Sequence, residues 1–520
     1  MVCTASGCKA FYPGRTRKHC CPRGKPILSA AHLPGFVAAL FSGGDSRITP
    51  DPVTGLNQYL CPVVLAPDHV YAASCTASPA SLRAIDAAGK AFAGIRLATS
   101  PRQRADRLAV LADDIEARLC RHLDVGSLAR IFLCPSGTDA LLTTTRLIAA
   151  ERPDEAMTTI LPAASETGTG VPMAAAGRIF NGPDCGKSLL CTAAQTIEIP
   201  LRSQDGAPYA DDTVNRAFAA AANAASGRVV VILTHGTKTG FIAPVTPPAD
   251  ADVIVDACQA RIAPQTIAAY LRRGWPVVLT GSKFYGGPAF SGAILFPAAR
   301  LPALERDPHR WNHRSGESSS QTGVSARSRA VNETPGATSW SRFQEPAPTE
   351  TAPERRLLPD GPKLGTLLRW AASLTEIDAF AQKDAASDLT QILADRTASI
   401  ERALASNPAL VPIRGLQTRG PNWADQPSIF TFAVRDPADH RRRLSAADLR
   451  PIHQRLACAG VLFGQPVHLG AFGGLRIAIG ARDLAQHADP GLARMFAELG
   501  HAITASDAML PPSAASKKCS

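Results

Sequence analysis

The sequence predicts an α/β fold with a large, mostly parallel sheet, followed by a smaller C-terminal α+β domain. Three observations lead there. Helical periods alternate with short β-branched runs from about residue 80 to 300, the pattern of strand-helix-strand units. A Ser, Thr, Pro and Arg-rich stretch without sustained period interrupts the chain at 305–360. Beyond it, a long helical period is followed by two more apolar runs with a helix between them, which defines a second unit. At 520 residues the chain is in any case too long for one core.

Taken in order, residues 1–26 form a basic, Cys-containing tail and 27–79 a turn-rich arm that wraps over the large domain. The large domain covers 80–304, with strands at "RIFLCP", "MTTILP", "RVVVILT", "DVIVDA", "WPVVLTG" and "GAILF". Ligands of such folds bind at the C-terminal ends of the strands. After the 305–360 insertion, the small domain spans 361–506: "TEIDAFAQKDAASDLTQILADRTASIERALASN" reads as long helix, "SIFTFAV" as strand, "AADLRPIHQRLACAG" as helix and "GGLRIAIGA" as strand. Residues 507–520 are a short tail.

Composition removes several classes of function. Hydrophobic content of 45% with 19% charged residues fits a globular protein. No stretch reaches the length of a membrane helix; "AAHLPGFVAALF" comes nearest and is broken by Pro34. The net charge of +11 lies largely at the ends: residues 1–44 hold six Lys or Arg and no acid, and Lys517 and Lys518 add two more, which leaves about +3 for the body. Nucleic-acid binding by the body is therefore not expected. Thirteen scattered cysteines, several inside apolar runs, suit reduced thiols and a cytoplasmic location. Cys3, Cys8, His19, Cys20 and Cys21 lack paired CxxC hooks, so no zinc site is expected there.

Chemistry concentrates at three strand ends. "VVLTGSKFYGGPAFSGAILF" (277–296) places Lys283 on a tight connection between two buried strands. A lysine withdrawn from water loses affinity for its proton and can serve as the neutral amine of a Schiff base. The alternative is a solvated turn lysine, the usual fate of this residue type. "RIFLCPSGTDALL" sets Ser136, Gly137, Thr138 and Asp139 at a helix N-terminus, where free N–H groups and the dipole form a phosphate cradle, or simply a helix cap. "ADVIVDACQARI" ends a buried strand on Asp256, with Gln259 three residues on. A carboxylate there needs a cationic partner, and a protonated pyridine nitrogen is one.

Phosphate cradle, strand-end Asp and strand-end Lys, in that order, resemble the fold-type I pyridoxal-phosphate enzymes. "VVLTGSKFYGGPAFSGAIL", "VDACQA" and "LTHGTKTGFIAPV" are similar to segments of the class V aminotransferase and cysteine desulfurase group; the resemblance covers roughly 80–300 well and the C-terminal domain loosely. It implies pyridoxal 5'-phosphate as cofactor, a homodimer, Lys283 as the internal aldimine, Asp256 as the pyridinium partner and Gln259 beside the ring hydroxyl. Ser136, Gly137 and Thr138, with Thr280 and Ser282, would hold the phosphate, and Thr167 would lie over the ring. Arg476 in "GGLRIAIGARDL" matches the Arg that grips the substrate α-carboxylate, a task for a planar fork. Arg47 in "GGDSRITPD" is the rival anchor.

The sequence also departs from that group. Ser282 stands where the desulfurases have His, Glu166 and Thr167 stand where an imidazole is expected, Thr237 replaces an Asn, and the 305–360 stretch has no Cys. These departures argue against simple cysteine desulfurase activity. "NGPDCGKSLL" is too short between Gly182 and Gly186 for a P-loop. The reading is an enzyme acting on an amino acid, aminotransferase first; a β- or γ-eliminating lyase, including carbon-sulfur cleavage, is second, and a cofactor-less scaffold third.

Overall fold

A computed structural model describes residues 35–44, 47–52, 54–301, 363–386, 388–413, 422–485 and 491–507. The 305–360 stretch and the N-terminal Cys cluster lie outside the described residues.

Strand β1 (Val70–Ala72) belongs to the smaller of two sheets. The larger holds β2 (Ala129–Cys134), β3 (Met157–Pro162), β4 (Ala194–Ile199), β5 (Arg228–Thr234), β6 (Asp252–Ala257), β7 (Val277–Thr280) and β8 (Gly292–Pro297), in the order β2-β8-β7-β6-β5-β3-β4. β3 to β7 run parallel to their neighbours, and β8 is antiparallel to both β7 and β2. β2 therefore points the same way as β7, and the C-terminal ends of β2, β5, β6 and β7 share one edge.

These runs are apolar throughout because both faces are covered. Ile254 and Val278 pack on one side with Leu141 and Leu147 of helix Gly137–Glu151; Val253, Val255, Val277 and Leu279 pack on the other with Ile115, Leu119 and Trp370. Each strand thus alternates between two cores.

The second sheet adds β9 (Leu410–Ile413), β10 (Ile429–Val434), β11 (Val461–His468) and β12 (Gly473–Ala478), in the order β1-β11-β12-β10-β9. β1 is parallel to β11 and the other pairings are antiparallel. The N-terminal segment thus does more than cover the large sheet, since it also contributes a strand to this one. The long helical period divides into helices Leu364–Ala386 and Leu389–Ser406, because Asp388 caps the second by accepting the N–H of Gln391 at 3.0 Å. "NGPDCGKSLL" forms a turn closed by Ile179 N–H to Lys187 O (2.9 Å) and Gly186 N–H to Ile179 O (2.7 Å), and runs on into β4 without the helix a P-loop needs.

Candidate active site

The site is assembled at the edge where β2, β5, β6 and β7 end. After β2, Ser136 caps helix Gly137–Glu151: its hydroxyl accepts the N–H of Asp139 (3.2 Å) and donates to that residue's carboxylate (2.5 Å). The N–H groups of Gly137 and Thr138 make no hydrogen bond among the described residues. Gly137 is required by close approach, since a Cβ there would stand 2.4 Å from Cys258 Sγ and 3.0 Å from Thr280 Cγ2. Helix, β6 and β7 meet at this point. Gly137→Ala is expected to lower stability by about 1–3 kcal/mol, as overpacking does. Adding Cys258→Ala should recover most of it in thermal melts, and an equal loss in both variants would contradict the contact.

Asp256 is the last residue but one of β6, paired in register with Thr234 of β5. It is buried, and its carboxylate accepts the backbone N–H of Cys258 at 3.1 Å. No cation of the described residues forms a salt bridge with it. Cys258, between this carboxylate and Gly137, has its thiol pushed well up, first by burial and then by the Asp256 charge, against a lowering by Lys283. Thr280 donates its hydroxyl to Cys258 O at 2.7 Å, which fixes the turn after β6. Gln259 donates to Cys75 O (3.1 Å) and accepts from Arg261 (3.0 Å), so among the described residues one amide N–H is left uncommitted.

Lys283 follows β7 on a loop tied to its surroundings by the backbone. Gly281 N–H donates to Ser291 O (2.8 Å), Gly287 N–H to Gly281 O (2.9 Å), and Ser78 Oγ to the carbonyl of Ser282 (2.8 Å). Gly287 lies against helix Leu364–Ala386 so closely that a Cβ would meet Ser373 Oγ at 2.0 Å. The Lys283 ammonium is half-buried and has no hydrogen-bond or ion-pair partner among the described residues. Ser282 is buried beside it.

Two further segments complete the edge. In the turn after β3, Glu166 is buried against Arg202, Oε1 to Nε 2.6 Å, and accepts from Thr239. Glu166 is thereby a structural anion, and the neighbouring Thr167 Oγ1 is buried without a partner, as is Thr234 Oγ1 at the end of β5. Arg476, on β12, donates to Gln465 O (2.7 and 3.1 Å), Lys238 O (3.0 Å) and Thr76 Oγ1 (2.8 Å). All are neutral acceptors, so its buried charge has no carboxylate opposite among the described residues. Thr237 bonds within its own turn, accepting Phe241 N–H at 3.0 Å.

The structure therefore brings Gly137, Asp256, Thr280 and Lys283 together, and Thr138 adjoins them as the residue after Gly137. Arg47 lies over Phe290 at 4.8 Å and over Phe180 at 5.5 Å, and Phe180 packs at Gly170, next to Thr138. Sequence reasoning did not single out Cys258, Thr234 or Lys238. Lys238 carried the same signal as Lys283, a lysine just past an apolar strand.

No protein-family model matches the sequence, and no curated protein matches it. Among solved structures the chain is similar to Oryza sativa TDC with PLP and tryptamine, at 14% identity over 93% of this chain and 90% of that one, TM-score 0.51. It is also similar to a NifS-like protein, at 11% identity over 84% of this chain and 99% of that one, TM-score 0.50. At such identities the likeness is one of fold, and the chain has the fold-type I architecture that its strand-end motifs implied.

Proposed function

We propose that this chain is a pyridoxal-phosphate enzyme that acts on an amino acid, of aminotransferase type, working as a cytoplasmic homodimer. The observation that carries the reading is Asp256: a buried carboxylate at a strand end with no cation of the described residues opposite, in one cluster with an unbonded lysine and a helix N-terminus. A buried charge without a partner costs several kcal/mol by rough estimate, so the site is built for a cationic ligand group.

The residues present fit the cofactor. Gly137 and Thr138 offer uncommitted N–H groups to its phosphate, Thr167 and Thr234 offer orphaned hydroxyls, and Asp256 offers the acceptor for a protonated ring nitrogen. When bound, pyridoxal phosphate supplies an electrophilic carbonyl and a ring that stores negative charge. The protein supplies the rest. Lys283 Nζ would hold the group and, as a free amine, would accept the substrate α-proton. Asp256 keeps the ring proton in place. Arg476, with four of its five N–H donors committed to Gln465, Lys238 and Thr76, would offer the α-carboxylate its charge and the remaining Nη1 N–H.

Purified protein should show a near-visible absorbance band, and amino donor with keto-acid acceptor should turn over. Release of ammonia or sulfide without any acceptor would contradict the aminotransferase assignment and favour a lyase; a colourless protein that cannot be reconstituted would favour a scaffold. Arg476→Lys is expected to raise KM for amino acids roughly tenfold or more with the band intact, because an ammonium cannot keep the planar network to Gln465, Lys238 and Thr76 that holds the charge in place. A primary amine without the carboxylate should be indifferent to the change. An unchanged KM would remove Arg476 from this role.

A further inference from the structure

Lys238 is a second lysine at the same edge, in the turn that leaves β5. Its backbone is pinned from two sides: its N–H donates to Glu166 O at 2.9 Å, and its carbonyl accepts from Arg476 Nη1 at 3.0 Å. Its ammonium donates to Ala164 O at 2.5 Å and has no carboxylate partner among the described residues. Burial, then the charges of Arg476 and Lys283, pull it down to about 8, against the Glu166 carboxylate, which holds it up. Glu166 is committed to Arg202 and Thr239 and gives no direct ion pair to Lys238.

The charge pattern around it is lopsided. Lys238, Lys283 and Arg476 are cations without a salt-bridge partner among the described residues, and Asp256 is the buried carboxylate likewise without one. In the proposed function, Lys283 and Asp256 are both committed to the cofactor. That leaves Arg476 and Lys238, two neighbouring cations for one substrate. The Lys238 ammonium still has two N–H donors to give, which suits the two oxygens of a carboxylate.

We propose that Lys238 anchors a second, side-chain carboxylate, so that the preferred substrate is a dicarboxylic amino acid with its α-carboxylate on Arg476. The proposal names the substrate class of the site and rests on the reading of that site as one for amino acids. It assigns to Lys238 the discrimination between acidic and neutral substrates.

The test is calorimetric titration of the full chain, as purified, with succinate, glutarate and butyrate, alongside absorbance titration with L-aspartate, L-glutamate and L-alanine. At least one dicarboxylate should bind roughly tenfold or more tightly than butyrate, and the acidic amino acids should outcompete alanine by a similar factor. Lys238→Met should bring the dicarboxylates to parity with butyrate and leave butyrate and alanine unchanged. No preference in the wild type, or a variant that weakens mono- and dicarboxylates alike, would overturn the anchor. If Lys238→Met does not fold, the wild-type comparison decides alone. Failure of the cofactor reading looks different: no absorbance band and no amino-acid response, whatever the dicarboxylates do.

Discussion

Lys283→Ala is expected to abolish turnover, by at least about 10³-fold, and to remove the near-visible absorbance band, while leaving the protein folded. The reason lies in how the loop is held. Its hydrogen bonds run through the backbone of Gly281, Ser282 and Gly287, and the lysine side chain takes part in none of them. Truncation therefore removes the amine without releasing the loop. A half-buried ammonium with no partner adds nothing to stability, so between cofactor-free proteins the melting temperature should stay unchanged or rise. Turnover and absorbance in the variant equal to wild type would show that the amine is not the reacting group.

Asp256→Asn is the second large effect, with turnover falling roughly 10²- to 10³-fold, the range for removing one preorganised electrostatic partner. The amide keeps the volume and can still accept the Cys258 N–H, but it cannot supply the charge that holds a ring proton. Cofactor should still bind through Lys283 and the helix N-terminus. Stability of the cofactor-free variant should match or exceed wild type, since the buried charge has no cation of the described residues opposite it. Steady-state kinetics beside thermal melts separate these effects. Wild-type rates in Asp256→Asn would end the electron-sink role.

Much of the large sheet was legible in the sequence because its strands are buried on both faces and so read as plain apolar runs. β4 was not, since "AQTIEI" sits on the edge of the sheet and only its last residue is buried. β11 carries Gly464 and Pro466 where its register shifts, which breaks the pattern a strand should show. β1 is three residues long and finds its partner at Val461–Phe463, about three-quarters of the chain away. The site divides the same way. Lys283 and Asp256 stand out as charges ending apolar strands. Lys238 also follows an apolar strand, but its burial comes from the loop after β3 and from Arg476, which no local window contains. Gln259 was legible as a motif residue, yet its amide partners, Cys75 and Arg261, appear only in the folded chain.

The central claim is that Lys283 is the amine that carries pyridoxal phosphate. Borohydride reduction of the purified protein, followed by proteolysis and mass spectrometry, tests it most directly. One reduced cofactor per chain, on the peptide that contains Lys283, is the predicted result; a label on Lys238 instead, or no label after reconstitution, would contradict it.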